Sequence, residues 1–165
     1  MPTRVYCAFF RGQFGELFSA GVDSISAAAR AQGVIADVFN YQDWATGAGR
    51  VDYWRDVGCK VALFGYSLGC SSATYIQTAR PVDLLMCCAE SSLAQNYPVS
   101  HHTKRSILWI GQDFLSDANS GGFTVVIPVQ ITPFTFPILD HLAMDWSSVV
   151  TRGALEELAK LREES

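Results

Sequence analysis

The sequence predicts an α/β fold, a three-layer αβα sandwich around a six-stranded, mainly parallel sheet. Short apolar runs alternate along the chain with segments of helical pattern, as strands and helices do in such folds. Several of these runs are apolar at consecutive positions, which is typical of parallel strands buried on both faces. Hydrophobic residues make up 49% of the 165 residues and charged residues 17%, which is enough core for one domain over residues 1–165.

Each element of this fold has its own signal. Apolar, β-rich runs predict strands at 4–10, 34–40, 82–88, 105–111 and 123–129, and a further strand around 61–64. Helical spacing and alanine content predict helices at 18–32, 50–57, from Ser67 to about residue 78, and at 149–162, with Ser147 or Ser148 as the last N-cap. The segments 41–49, 89–103, 112–122 and 131–140 are predicted loops. Right-handed crossovers give the strand order 2-1-3-4-5-6, with a binding crevice between the first and third strands.

Composition argues against several functions. The net charge is -4 and the sequence contains no basic run, which disfavours nucleic acid as a partner. No apolar run has the length of a membrane span, and the N-terminus enters a strand without a signal-peptide pattern. The five cysteines are an odd number without zinc spacing, and three lie in apolar runs. We therefore expect a cytoplasmic protein with no disulfide framework, metal or cofactor.

The pattern G-x-S-x-G occurs at Gly65-Tyr66-Ser67-Leu68-Gly69, between a buried strand and a helix. A serine in such a tight strand-to-helix turn stands above the carboxyl edge of the sheet, and small residues two positions away let strand and helix approach. This context predicts that Ser67 is a nucleophile. A turn that only needs glycines for close packing is the alternative.

A serine nucleophile needs a base, and the chain has three histidines. His141 follows the last predicted strand and precedes the last helix, as the chain order serine, acid, histidine requires. His101 and His102 form an adjacent pair in an earlier polar loop, where solvation is the simpler interpretation. His141 is therefore the predicted base.

The acid is less well defined. Asp113 follows the fifth predicted strand, where the acid of this arrangement is expected, and Asp117 lies four residues later. Asp140 adjoins His141 and is poorly placed to face its own neighbour's imidazole. Asp145 could reach His141 if that segment is helical. Asp113 is the first prediction, and a dyad without a carboxylate is the remaining alternative.

Two backbone N–H groups are predicted to form an oxyanion hole beside Ser67. The Leu68 N–H lies at the start of the helix that follows the serine. The turn after the first strand, at Arg11-Gly12-Gln13, ends next to the third strand at the crevice. Gly12 allows a close backbone approach, so the Gln13 N–H is the preferred second donor and the Arg11 N–H the next.

With the 65–69 motif, the Arg11-Gly12 turn and His141 in these positions, the chain resembles the α/β-hydrolase superfamily. It is similar to small bacterial and phage members that lack the first two strands of the larger enzymes. The resemblance implies a minimal α/β-hydrolase fold and a serine hydrolase that cleaves a small ester or thioester through an acyl-enzyme on Ser67.

The predicted crevice is open, because no loop is long enough for a cap domain. Arg11, Phe14 and Phe134 are the predicted substrate-binding residues, and Phe10, Leu68 and Phe136 are further candidates for an apolar lining. Two alternatives remain open. One is an inactive hydrolase-fold protein that binds a small ligand or a protein partner. The other, a doubly wound ligand-binding protein, lacks a phosphate-binding G-x-G-x-x-G turn.

Overall fold

The computed structural model describes residues 3–13, 15, 19–111, 121–130, 141 and 143–164, without the side chain of Asp145. Within these residues one six-stranded sheet has the order 2-1-3-4-5-6, and all of its pairings are parallel. The strands are β1 (Val5–Arg11), β2 (Ile35–Asn40), β3 (Lys60–Tyr66), β4 (Val82–Cys88), β5 (Thr103–Ile110) and β6 (Val125–Pro128). The predicted fold class and strand order are confirmed.

Helices cover both faces of the sheet. They are α1 (Ala20–Ala31), α2 (Trp44–Asp56), α3 (Leu68–Ala79) and α4 (Ser148–Glu163), with 3₁₀ turns at Tyr41–Asp43 and Met144–Trp146. One face packs against α1 and α4 and the other against α2 and α3, which gives the three layers. None of the helices described is long and apolar enough to cross a bilayer.

Two hydrophobic cores form because successive strand residues point to opposite faces. In β1, Val5, Cys7 and Phe9 belong to the core under α1 and α4, whereas Tyr6, Ala8 and Phe10 belong to the core under α2 and α3. All six side chains are at most 1% exposed. The central strands are therefore buried on both faces, as their continuous apolar runs predict.

The segment after β2 differs from the prediction. A loop at 41–49 was expected from its glycines and polar residues, but α2 begins at Trp44 and includes Gly47 and Gly49. A Cβ atom at Gly47 would lie 2.5 Å from Cζ of Phe10. Gly47 therefore lets the helix lie directly on the sheet, so that a residue taken as a helix breaker is a packing residue instead.

The last strand and helix lie where they were predicted, although β6 is shorter than the predicted 123–129. β6 pairs only with β5 among the described strands and ends at Pro128, which fits the expected edge position or strand end. Ser147 is the N-cap residue of α4, although its side chain makes no capping hydrogen bond. Leu158 and Leu161 on α4 are buried against the sheet.

Candidate active site

Ser67 occupies a strained turn between β3 and α3. Its backbone has φ +53° and ψ −120°, a region that few residues other than glycine adopt. Its N–H donates a hydrogen bond of 2.9 Å to the Cys88 carbonyl at the end of β4. The turn is thereby fixed to the neighbouring strand, and the serine side chain stands at the carboxyl edge of the sheet.

The turn needs glycine at positions 65 and 69, because a side chain at either position would collide with neighbouring backbone. A Cβ atom at Gly65 would lie 2.6 Å from the Cα atom of Cys70. One at Gly69 would lie 2.1 Å from the carbonyl oxygen of Phe10 in β1. Both contacts are with backbone, which cannot move aside cheaply. The two glycines therefore hold α3 against β3 and β1.

His141 is hydrogen-bonded to Ser67. Its Nε2 atom lies 2.8 Å from the Ser67 Oγ atom, and both residues are buried. The Tyr66 hydroxyl donates a hydrogen bond of 2.9 Å to the His141 backbone carbonyl, and the two rings stack with centroids 5.9 Å apart. Tyr66 belongs to β3, so the strand that carries the serine also positions the histidine.

None of the carboxylates considered for His141 lies within the described part of the chain. Asp113, Asp117 and Asp140 lie outside the described residues, as does the side chain of Asp145. Glu90 is a carboxylate at the same edge: it lies two residues after the end of β4, is fully buried, and comes after Ala89, whose φ is +52°.

The turn after β1 lies against Ser67. A Cβ atom at Gly12 would lie 3.1 Å from the Ser67 Cβ atom, so only glycine allows this approach without movement. The Gly12 N–H donates to the Ser19 Oγ atom at 3.1 Å and is therefore engaged. Gln13, the next residue, is exposed. Leu68 is the first residue of α3, where a backbone N–H has no acceptor within the helix.

The predicted substrate-binding residues are only partly placed. The Arg11 guanidinium makes a two-point ion pair with Asp23, at 2.6 Å and 3.1 Å, and also donates to the Asn40 side chain. These contacts join the end of β1 to α1 and β2, and substrate binding by Arg11 stays a prediction. Phe14, Phe134 and Phe136 lie outside the described residues.

The cysteines are poor candidates for a nucleophile. All five are buried and none forms a disulfide. Burial raises the pKa of the Cys7, Cys70 and Cys87 thiols, and the Glu90 carboxylate adds to this effect at Cys70 and Cys87. These thiols therefore stay protonated at neutral pH. No cluster of three or more His, Cys, Asp or Glu side chains suited to a metal ion occurs in the described part of the chain.

Two residues of the site were missed from the sequence. Tyr66 appeared only as a variable position of the motif, and Ser19 only as part of the predicted helix 18–32. The position of Ser19 before an alanine-rich helix is a recognisable N-cap signal, but its hydroxyl contacts Gly12 rather than the helix end. Tyr66 has no comparable local signal, because its partner is 75 residues away.

The sheet order, the strained serine after β3 and the histidine ahead of the last helix define the α/β-hydrolase fold. Several solved structures have this fold in common with the chain, among them the following three. A proposed hydrolase of the α/β superfamily from Xanthomonas campestris pv. campestris matches with a TM-score of 0.66 and 15% identity, over 95% of this chain and 99% of that one. The ydeN gene product of B. subtilis matches with a TM-score of 0.59 and 11% identity, over 96% and 100%.

The third structure is a cutinase-like protein from Cryptococcus sp., with a TM-score of 0.54 and 14% identity over 98% of this chain and 97% of that one. No family model matches the sequence, and no curated protein matches it. At these identities the likeness establishes the fold. The chemistry has to be argued from the residues themselves.

Proposed function

We propose that this protein is a serine hydrolase that cleaves a small carboxylic ester or thioester. The hydrogen bond of 2.8 Å between His141 Nε2 and Ser67 Oγ carries the proposal. It joins a hydroxyl to a base in the geometry that general-base catalysis needs. The strained backbone of Ser67 supports it, because such strain is retained mainly where function requires it.

In the first half-reaction Ser67 Oγ attacks the carbonyl carbon of the ester while His141 Nε2 accepts the hydroxyl proton. The carbonyl oxygen becomes an oxyanion, which the Leu68 and Gln13 N–H groups stabilise. The intermediate then collapses, the bond to the leaving group breaks, and His141 returns the proton to the departing alkoxide or thiolate. An acyl group remains on Ser67.

In the second half-reaction water attacks the acyl carbon, and His141 accepts its proton. The bond to Ser67 Oγ breaks and His141 protonates the serine, so that a carboxylic acid leaves and the free protein is restored. A carboxylate behind the imidazole would orient it through both steps, and Asp113 remains the first candidate for that role. Tyr66 fixes the His141 backbone instead.

A fluorophosphonate probe tests the nucleophile directly. We expect the probe to label wild-type protein at Ser67, and we expect Ser67→Ala to abolish labelling because the attacking oxygen is gone. His141→Ala should slow labelling by a factor of about a hundred or more, since the base contributes that much to serine activation. Mass spectrometry of the digested protein identifies the labelled residue.

Matched controls separate loss of function from loss of folding. Ser24 is an exposed serine on α1 and His102 an exposed histidine, so Ser24→Ala and His102→Ala should label like wild type. Thermal melts should show that each variant is folded. Folded wild-type protein that stays unlabelled, under conditions that label a known esterase, would overturn the proposal and leave an inactive binding protein.

A further inference from the structure

A cavity of about 520 Å³ lies on the outer side of α3, between the segment after β2 and the loop after β4. We call it the aromatic groove. It is lined by Tyr41, Gln42, Trp44, Ser71, Ser72, Tyr75 and Tyr97. Its size suits one or two sugar-sized rings rather than an extended polymer. Nothing in the proposed chemistry at Ser67 uses these side chains.

The rings of the groove form a curved wall. Trp44 and Tyr75 meet edge to face, with centroids 4.8 Å apart and planes 86° apart, and Tyr75 and Tyr97 are tilted by 52° at 5.2 Å. Trp44 and Tyr75 are each 40% exposed, so their remaining ring surface faces solvent. Because neighbouring rings are not parallel, they leave no flat slot for a planar aromatic ligand to enter between them.

The polar groups of the groove are neutral. The residues that line it bear no charged side chain within the described part of the chain, and their polar groups are the Gln42 amide, two serine hydroxyls and the tyrosine hydroxyls. A charged ligand that enters such a site loses hydration without gaining a counter-charge. A neutral sugar suits it better, because its C–H faces pack on aromatic rings and its hydroxyls need neutral hydrogen-bonding groups.

The walls of the groove are fixed in place. The Ser71 hydroxyl donates to the Gln95 carbonyl in the loop after β4, and the Ser72 hydroxyl donates to the Tyr41 carbonyl after β2. Both flanking segments are thus tied to α3. A preformed wall lowers the entropic cost of binding.

The groove begins close to the proposed nucleophile. Ser71 and Tyr75 are one turn apart and lie on the same side of α3. The helix begins directly after Ser67, and Ser71 belongs to its first turn, about 4.5 Å along the helix axis from Leu68 at a rise of 1.5 Å per residue. A sugar ring on the aromatic wall would therefore hold an acylated hydroxyl near the start of α3, where Ser67 stands.

We infer that the aromatic groove binds a neutral saccharide. Together with the proposed hydrolase function, on which this step rests, the groove identifies the substrate class as an ester of a saccharide hydroxyl. The groove holds the alcohol part of that ester, and the acyl part reaches Ser67. Binding in the groove does not itself require the Ser67 hydroxyl.

The first experiment measures binding apart from catalysis. The Ser67→Ala protein is titrated with cellobiose, maltose and lactose, with indole and glucose 6-phosphate as planar and charged probes, by calorimetry and tryptophan fluorescence. We expect at least one neutral disaccharide to bind more tightly than either probe and to change the Trp44 emission. Failure of all three disaccharides to bind, or tighter binding of indole or of the phosphate, would overturn the inference.

Variants locate the site. In the same Ser67→Ala background, Trp44→Ala should weaken disaccharide binding about tenfold or more, whereas Trp44→Phe keeps a ring and should stay within about threefold. Trp146→Ala is the matched control, because Trp146 is 62% exposed and lies near α4, away from the groove. Equal affinity in the Trp44→Ala and Trp146→Ala proteins, both folded by circular dichroism, would place the sugar elsewhere and overturn the inference.

The second experiment concerns substrate class. Wild-type kcat/KM is compared between monoacetylated cellobiose and ethyl acetate, which transfer the same acyl group. We expect a preference for the saccharide ester that Trp44→Ala removes chiefly through KM. Hydrolysis of ethyl acetate without saccharide binding overturns the inference but leaves the hydrolase standing. Saccharide binding without labelling of Ser67 keeps the groove and overturns the hydrolase.

Discussion

At the scale of single residues, a hydrogen bond from the Tyr66 hydroxyl holds the backbone of His141 in place. The hydroxyl donates to the His141 carbonyl inside a buried site, so it fixes the backbone from which the imidazole projects. Tyr66 belongs to β3, an internal strand of the sheet, and is 1% exposed. The hydrogen bond therefore ties His141 to a buried part of the sheet. The Tyr66 hydroxyl contacts the His141 backbone, and we therefore predict that Tyr66 is a positioning residue.

Tyr66→Phe tests this role. Loss of one hydrogen bond of this kind costs about 1 kcal/mol, so we expect kcat to fall about fivefold while KM changes little. Tyr53→Phe is the matched control, because Tyr53 is 53% exposed. A fall in melting temperature with unchanged kcat would show that Tyr66 contributes only to stability.

The same residues show what a sequence can predict of a site. Ser67 and His141 could be found because a motif and a position in chain order identify them, and the structure brings them within hydrogen-bonding distance. Tyr66 and Ser19 could not, because their roles depend on contacts made only after folding. The catalytic roles of Ser67 and His141 and the positioning role of Tyr66 stay predictions until the variants are measured.

At the scale of secondary structure, α2 shows how one residue type can have two effects. Gly47 faces the sheet, where a Cβ atom would lie 2.5 Å from the Phe10 ring, whereas a Cβ atom at Gly49 would meet nothing within 4 Å. From the sequence pattern alone, both glycines are expected to disfavour a helix. Only the packing of the helix on β1 distinguishes them, which is why the start of α2 was predicted six residues too late, at 50 instead of 44.

Alanine substitutions in α2 should therefore have opposite signs. Gly49→Ala should raise the free energy of unfolding by about 0.5 to 1 kcal/mol, through better helix propensity at an exposed position. Gly47→Ala should lower it by about 1 to 3 kcal/mol, because the added methyl group overpacks the core. Urea unfolding measures both. Stabilisation by Gly47→Ala would show that the Phe10 ring moves aside freely.

The strands were predicted more accurately than α2. Continuous apolar runs are nearly sufficient to locate buried parallel strands, since both faces must be apolar, and β4 has the predicted bounds of 82–88. β6 was predicted at 123–129 and is shorter, at Val125–Pro128. As an edge strand it lacks a second described neighbour to extend its pairing.

At the scale of the whole molecule, burial of titratable groups links stability to pH. Burial raises the pKa of Cys7, Cys70 and Cys87 above the ordinary thiol value of 9.0. Burial and the Asp37 carboxylate raise the pKa of Tyr6 above its ordinary 10.0. Above pH 9 the unfolded chain releases protons that the folded protein keeps. The unfolded state is then favoured as the pH rises.

We therefore expect the free energy of unfolding to fall between pH 8.5 and 10.5, by up to about 1.4 kcal/mol per pH unit for each group involved. Urea unfolding across this range measures the slope. Cys7→Ala should reduce the slope of the unfolding free energy against pH by up to the contribution of one proton, about 1.4 kcal/mol per pH unit. This expectation holds whatever the substitution does to stability at pH 7. An unchanged slope in this variant would exclude Cys7 as a contributor.

The chain that leaves β4 contacts both parts of the proposed site. The Cys88 carbonyl accepts a hydrogen bond from the Ser67 N–H. A few residues later, Gln95 and Tyr97 border the aromatic groove. Thermodynamic linkage then sets a symmetry. If a sugar in the groove changes the affinity of a reversible Ser67 inhibitor by some factor, the inhibitor changes the affinity for the sugar by that same factor. A sugar in the groove and an inhibitor at Ser67 would then change each other's affinity through the segment that follows β4.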